Sequence, residues 1–142
     1  MYKKILVALE NGPADKTMLP EIAQLAARLG SELLLLHVAD GWAARSFDQL
    51  KLAESEEIKS DRAYLEKTAA SLRAKHLTVT TQLAMGNPPT EILKIAEAEH
   101  CNLIAMTSHG HRFFGDIFHG STITEVRHRT HIPIFLVRAE KV

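Results

Sequence analysis

The chain alternates short, uninterrupted apolar runs with longer stretches of helical period, and this order constrains its fold more than any other feature. Apolar runs without intervening polar residues are typical of β-strands that are covered on both faces. Four such runs are Ile5–Leu9, Leu33–Val38, Leu103–Met106 and Ile132–Val137. We therefore expect a sheet that is buried between two layers of helices.

Helical stretches separate these runs. Apolar residues at the spacing of a helix predict the first helix through Ile22–Leu29, and Gly30 ends it. Three further helices are predicted around Ile58–Leu72, Thr90–His100 and Ser121–Arg129. Pro88 and Pro89 stand at the entry of the third helix, where proline is tolerated. The order β-α-β-α-β-α-β-α-β implies right-handed crossovers, and so an open α/β fold with a five-stranded parallel sheet and helices on both faces.

Two strands have the character of sheet edges. Residues 77–83 alternate apolar with polar side chains, which indicates one solvated face and an edge position. Pro133 also indicates an edge, because proline cannot donate to a strand ladder, yet the run Ile132–Val137 is apolar on both faces. An open apolar edge invites association, so we expect a homodimer through this run. In the alternative interpretation, Pro133 only begins a buried strand.

Length and composition exclude several classes of protein. We expect one domain over residues 1–142, since a chain of 142 residues is of ordinary domain size. Lys and Arg together number 17, equal to the 17 Asp and Glu, which argues against a nucleic-acid-binding surface. No run approaches the roughly 20 apolar residues that a membrane-spanning helix needs. Cys101 is the only cysteine, which fits a reducing compartment, and we expect the protein to be cytoplasmic.

Two segments show no regular pattern, and the second of them carries the chemistry. The segments are Asp40 to about Glu54, and Thr107–His119. Loops of this length in a compact domain are usually functional or mobile. In parallel sheets a ligand binds beyond the carboxyl ends of the strands, where the strand order reverses. Thr107–His119 leaves the fourth strand at such a point.

The composition of this segment and of the helix start after it suits a phosphate group. Gly110 and Gly120 allow close approach of the backbone, and a helix N-terminus offers unpaired N–H groups with positive partial charge. Ser121 and Thr122 add hydroxyl groups, and His111 and Arg112 can add positive charge. The alternative is purely structural: Thr122-x-x-Glu125 matches a capping box, and the loop is only a connection.

The ordered set of these segments resembles the universal stress protein family. Its nucleotide-binding members carry G-x2-G-x9-G-[ST] after the fourth strand, and this chain has Thr107-x2-Gly110-x9-Gly120-Ser121. The other matching segments are Lys4–Ala8, Leu35–Val38, Gly86–Pro88, Met106–Gly110 and Ile132–Val137. The resemblance implies the strand order 3-2-1-4-5 and dimers that often pair through the fifth strand.

The resemblance also implies roles for individual residues. It places Val38 and Met106 near an adenine, and Ala8, Leu9 and Glu10 near the adenine and ribose. It places Gly110, Gly120, Ser121 and Thr122 around the phosphates. We also assign Thr107, His109, His111 and Arg112, from the same segment, to the binding site. Two departures affect affinity: Thr107 stands where the family has glycine, so its side chain would crowd a tight turn, and Glu10 stands where relatives usually have Asp.

These observations predict an adenine-nucleotide-binding sensor or regulator in the stress response. The ligand would be ATP or AMP, with or without Mg²⁺, and its binding would order the loop for a protein partner to read. The alternative is a protein-interaction module of the same fold that binds no nucleotide. We name no catalytic residue, since the chain has no G-x4-G-K-[ST] loop, and expect slow ATP hydrolysis at most. The histidines lack the convergent ligands of a metal site, so none is predicted.

Overall fold

The computed structural model describes residues 1–40, 51–109 and 120–139. Its strands are β1 (Lys4–Leu9), β2 (Glu32–Asp40), β3 (Val79–Gly86), β4 (Leu103–Ser108) and β5 (Ile134–Arg138). Its helices are α1 (Asp15–Leu29), α2 (Lys51–Arg73), α3 (Pro88–Ala98) and α4 (Gly120–Arg129). They follow one another as β1-α1-β2-α2-β3-α3-β4-α4-β5, which is the predicted alternation.

The five strands form one parallel sheet in the order β3-β2-β1-β4-β5, as predicted. Side chains of successive strand residues point to opposite faces, and each face is covered by its own pair of helices. Val7 and Leu9 belong to the apolar cluster beneath α1 and α2, whereas Leu6 and Ala8 belong to the cluster beneath α3 and α4. The continuous apolar runs of the sequence follow from this burial on both sides.

The structure corrects five predicted boundaries. The segment from Asp40 to Glu54 was predicted to have no regular structure, but β2 continues to Asp40 and α2 begins at Lys51. The fourth strand continues through Thr107 and Ser108, which were assigned to the loop. The fifth strand begins at Ile134 rather than Ile132, because Pro133 offers only its carbonyl oxygen, which accepts from the Ile104 N–H at 3.0 Å. In the third helix, Pro88 and Pro89 are themselves helical, after the cap residue Asn87.

The two edges of the described sheet are β3 and β5. On β5, Ile134 packs on the α3–α4 cluster and Phe135 on the α1–α2 cluster, so both faces of the strand are apolar. Leu136 is nevertheless 49% exposed. Within the described ranges, no helix combines the length and hydropathy needed to cross a membrane.

Candidate functional site

The carboxyl ends of β1 and β4 lie side by side in the middle of the sheet. From β1 the chain proceeds to β2 on one side and later to β4 on the other, which makes this edge the point where the strand order reverses. Crevices at such points are the usual ligand sites of open α/β sheets. Glu10 directly follows β1, and His109 directly follows β4.

Glu10 and His109 form a buried pair across these two strand ends. The Nε2 atom of His109 lies 2.5 Å from Oε2 of Glu10, and the two side chains are only 6% and 5% exposed. The sequence analysis assigned both residues to the site but did not predict their contact, because 99 positions separate them along the chain. A carboxylate has about four acceptor positions, so Glu10 can bond His109 and a ligand hydroxyl together.

The turn after Glu10 is fixed by Asp15, the first residue of α1. One carboxylate oxygen of Asp15 accepts the Glu10 backbone N–H at 3.0 Å, and the other accepts that of Asn11 at 2.9 Å. The hydroxyl of Tyr64 on α2 donates to the same carboxylate at 2.5 Å. Burial, together with this bond, raises the pKa of Tyr64 above its ordinary value, so the hydroxyl keeps the proton that it donates.

Asp15 and Tyr64 are not among the residues that the sequence predicts for the site. A short acidic residue at the start of a helix, just after a Gly-Pro turn, was the available signal for Asp15. Tyr64 had no such signal, since it lies 49 positions away on another helix.

The three apolar residues expected near an adenine are brought together on one face of the sheet. Ala8, Val38 and Met106 all belong to the cluster beneath α3 and α4, and all three are fully buried. Strand register sets Ala8 beside Met106, and two residues further along it sets Val38 at the level of Glu10. They therefore form the apolar floor below the carboxylate.

Leu9 and Thr107 do not belong to this group of apolar residues. The side chain of Leu9 points to the opposite face and packs in the α1–α2 cluster. Thr107 pairs with Val137 inside β4 and is fully buried, so its side chain does not crowd a tight turn as the sequence analysis expected. Its hydroxyl oxygen is buried without a hydrogen-bond partner among the residues that the structure describes.

Helix α4 presents its N-terminus toward the same edge of the sheet. The helix follows the carboxyl end of β4 and leads back to the start of β5, so its first turn lies at the carboxyl edge. It has no acidic residue in this turn, whereas α1 has Asp15 and α3 has Glu91 there. The capping-box interpretation is wrong, because the helix begins at Gly120 and Thr122 therefore lies inside its first turn.

The remaining predicted residues are described only in part. Gly110, His111 and Arg112 lie outside the described residues. Ser121 is placed as part of the α4 backbone, and Thr122 is 5% exposed. Across residues 1–40, 51–109 and 120–139, no group of three or more His, Cys, Asp or Glu side chains is arranged to hold a metal ion.

Comparisons with known proteins agree on one family. A sequence model of the universal stress protein family matches residues 1–138. Universal stress protein MJ0577 of Methanocaldococcus jannaschii is 27% identical over 158 residues, which cover 97% of this chain and 96% of that protein. A solved structure of MJ0577 superposes on all of this chain, and on 99% of its own, with a TM-score of 0.82 and 24% identity.

Two further solved structures contain ligands. A universal stress protein from Archaeoglobus fulgidus in complex with dAMP matches with a TM-score of 0.70 and 20% identity, over 98% of both chains. Another universal stress protein, in complex with cAMP, matches with a TM-score of 0.69 and 13% identity, again over 98% of both chains. At these identities the two structures support the fold alone.

Proposed function

Because this chain belongs to the universal stress protein family, we propose that it binds an adenine nucleotide, ATP or AMP, at the carboxyl ends of β1 and β4. The proposal rests on where two groups lie. The carboxylate of Glu10 and the N-terminus of α4 are both at the carboxyl ends of the strands, where the strand order reverses. Relatives of the same fold that are solved with dAMP and cAMP support this class of ligand.

The residues at this edge have the chemical groups that a ribose, a phosphate and a base need. Glu10 supplies an acceptor for ribose hydroxyls, and the partial positive charge at the N-terminus of α4 suits phosphate oxygens. The floor of Ala8, Val38 and Met106 offers apolar contact to a base. The glycines at 110 and 120 let the backbone approach the phosphates. If the ligand is ATP, Mg²⁺ would partly neutralise its phosphates.

We further propose that the nucleotide state is read by a protein partner in a stress response. In this proposal residues 1–142 act as one domain, and two copies pair through β5, whose Leu136 is exposed. A reducing compartment such as the cytoplasm suits the buried, free thiol of Cys101.

The decisive experiment is to identify small molecules that the purified protein carries. Mass spectrometry of the supernatant after denaturation should detect ATP or AMP, and calorimetric titration of stripped protein with each nucleotide should give heat. A protein that releases no nucleotide, and gives no heat with either one, would refute the proposed function.

One observation favours the second candidate, a protein-interaction module without nucleotide. Glu10 and His109 already bind each other and are nearly inaccessible to water. In that case the pair only links the ends of β1 and β4, and the same titrations would give no heat.

A further inference from the structure

A second set of buried polar contacts lies behind the turn that carries Glu10. His37 of β2 places Nδ1 2.9 Å from the backbone oxygen of Leu9, and its Nε2 lies 3.6 Å from Oδ2 of Asp61 on α2. The other carboxylate oxygen of Asp61 accepts the side-chain amide of Asn11 at 2.7 Å. The side chains of His37 and Asp61 are only 4% and 9% exposed, so water screens them little.

The Leu9 carbonyl fixes one proton position on His37. A backbone carbonyl only accepts, so Nδ1 of His37 donates to it. Nε2 of the same ring faces the Asp61 carboxylate at 3.6 Å, an electrostatic contact that is longer than a hydrogen bond.

Each residue from Leu9 to Asn11 is bonded to a different part of the fold. The carbonyl of Leu9 is held by β2, the side chain of Glu10 by His109, and the side chain of Asn11 by α2. Asn11 has a φ of +58°, a left-handed conformation that needs such support outside glycine. The turn is thus fixed from β2, from His109 after β4 and from α2.

We propose that Asp61 is a positioning residue for the nucleotide site. Its carboxylate, divided between Asn11 and His37, holds the backbone from Leu9 to Asn11 and thereby orients the carboxylate of Glu10 toward a ribose. This inference rests on the proposed function for its ligand, but the positioning itself can be measured without nucleotide.

Three variants separate the contacts. Asp61→Ala removes both, Asp61→Asn keeps an acceptor for Asn11 and offers an amide donor to His37, and Asn11→Gly deletes only the tether while glycine keeps the left-handed backbone. The matched control is Glu66→Gln, a carboxylate on the same helix that accepts from Thr81 on β3 instead.

The readout without nucleotide is amide hydrogen exchange by NMR. The amides of residues 10 and 11 should exchange faster in Asp61→Ala and Asn11→Gly, and at the native rate in Glu66→Gln. Long-range ¹H–¹⁵N spectra of the His37 ring should show Nδ1 bonded to hydrogen in the native chain, and a changed chemical shift of Nε2 in Asp61→Asn but not in Glu66→Gln. A structural role elsewhere in α2 would not produce this change in the imidazole.

The readout with nucleotide is the dissociation constant for ATP. It should rise about tenfold in Asp61→Ala and Asn11→Gly, the change in affinity expected from the net loss of one hydrogen bond, and recover in Asp61→Asn. If Asp61→Ala does not fold, Asn11→Gly tests the same tether. Native exchange rates and native affinity in a folded Asn11→Gly would overturn the inference. A native chain that binds neither ATP nor AMP would instead overturn the proposed function, while the exchange rates still decide the positioning.

Discussion

Glu10 and His109 illustrate how single residues at this edge avoid the cost of burial. An ionised carboxylate or an unsatisfied imidazole in a nearly dry environment costs several kcal/mol, roughly, unless a partner compensates for it. Here the Glu10 carboxylate has Nε2 of His109 as a partner at 2.5 Å, and Asp15 is likewise satisfied by two backbone N–H groups and the Tyr64 hydroxyl. These two carboxylates therefore also hold the strand ends and the turn between them together.

Cys101 gives a prediction about pH that belongs to one side chain. Burial is the main cause that raises the pKa of this thiol from 9.0 to about 11. Well below pH 9 the thiol is protonated in the folded and unfolded chains alike. As the pH rises from 9 to 11, the unfolded chain loses this proton while the folded chain retains it, so the free energy of unfolding falls.

Cys101→Ala removes this titration, at the cost of a small cavity of about 1 kcal/mol near neutral pH. The stability advantage of the native chain over the variant should therefore shrink by about 1–2 kcal/mol between pH 9 and pH 11. Urea unfolding at several pH values measures it, and subtracting the two proteins cancels the tyrosines and lysines that both contain. A difference that stays constant over this range would contradict the raised pKa.

The N-termini of α1, α3 and α4 differ in whether a side chain caps them or an acidic residue lies in their first turn. In α3, the side chain of Asn87 accepts the Thr90 N–H at 3.2 Å and so caps the helix. In α1, the first turn contains Asp15. The first turn of α4 has no acidic residue to offset its partial positive charge.

Gly120→Val tests the role of α4. A β-branched side chain at the first residue of this helix should block close approach of a phosphate, and binding of ATP should weaken at least tenfold. The fold should survive, because α4 is anchored by Val126, which is fully buried in the core. Calorimetric titration gives the affinity, and circular dichroism checks the fold.

Ala98→Val is the matched control for this experiment. It adds a β-branched side chain at the end of α3, at the opposite edge of the sheet, where Ala98 is exposed. Its affinity for ATP should equal that of the native chain. If Gly120→Val also binds with the native affinity, the phosphates lie elsewhere.

Helices and strands could be predicted where burial sets the spacing of apolar residues along the chain. They were harder to predict where their bounds depend on contacts with distant segments. The runs around Ile5–Leu9 and Leu33–Val38 are apolar throughout because both of their faces are covered, so strand type and order could be inferred. Boundaries were less certain: Thr107 is polar and was placed in a loop, although it is a fully buried strand residue. Its burial depends on neighbouring elements that the local sequence does not contain.

In the candidate site, too, the sequence predicts which residues take part but not how they contact one another across the molecule. Glu10 and His109 could be assigned to it because each directly follows a central strand, and parallel strands end at one edge. Their contact, and the tethers from Asp61 and Tyr64, depend on side-chain geometry between elements that are 49–99 positions apart. No periodicity in the sequence encodes such pairs.

The two outer strands of the sheet, β3 and β5, differ in the surface that they offer to a second copy of the chain. β5 is apolar on both faces and carries Leu136, which is 49% exposed, while β3 carries Met85, which is 44% exposed. We expect β5 to be the edge that pairs two copies, because unpaired apolar edges associate and β3 has polar residues along its length. Leu136→Glu should therefore convert a dimer to a monomer in light scattering coupled to size exclusion, while Met85→Glu at the opposite edge leaves the dimer intact. A native chain that is monomeric at micromolar concentration, or a dimer that only Met85→Glu dissociates, would show that β5 is not the interface.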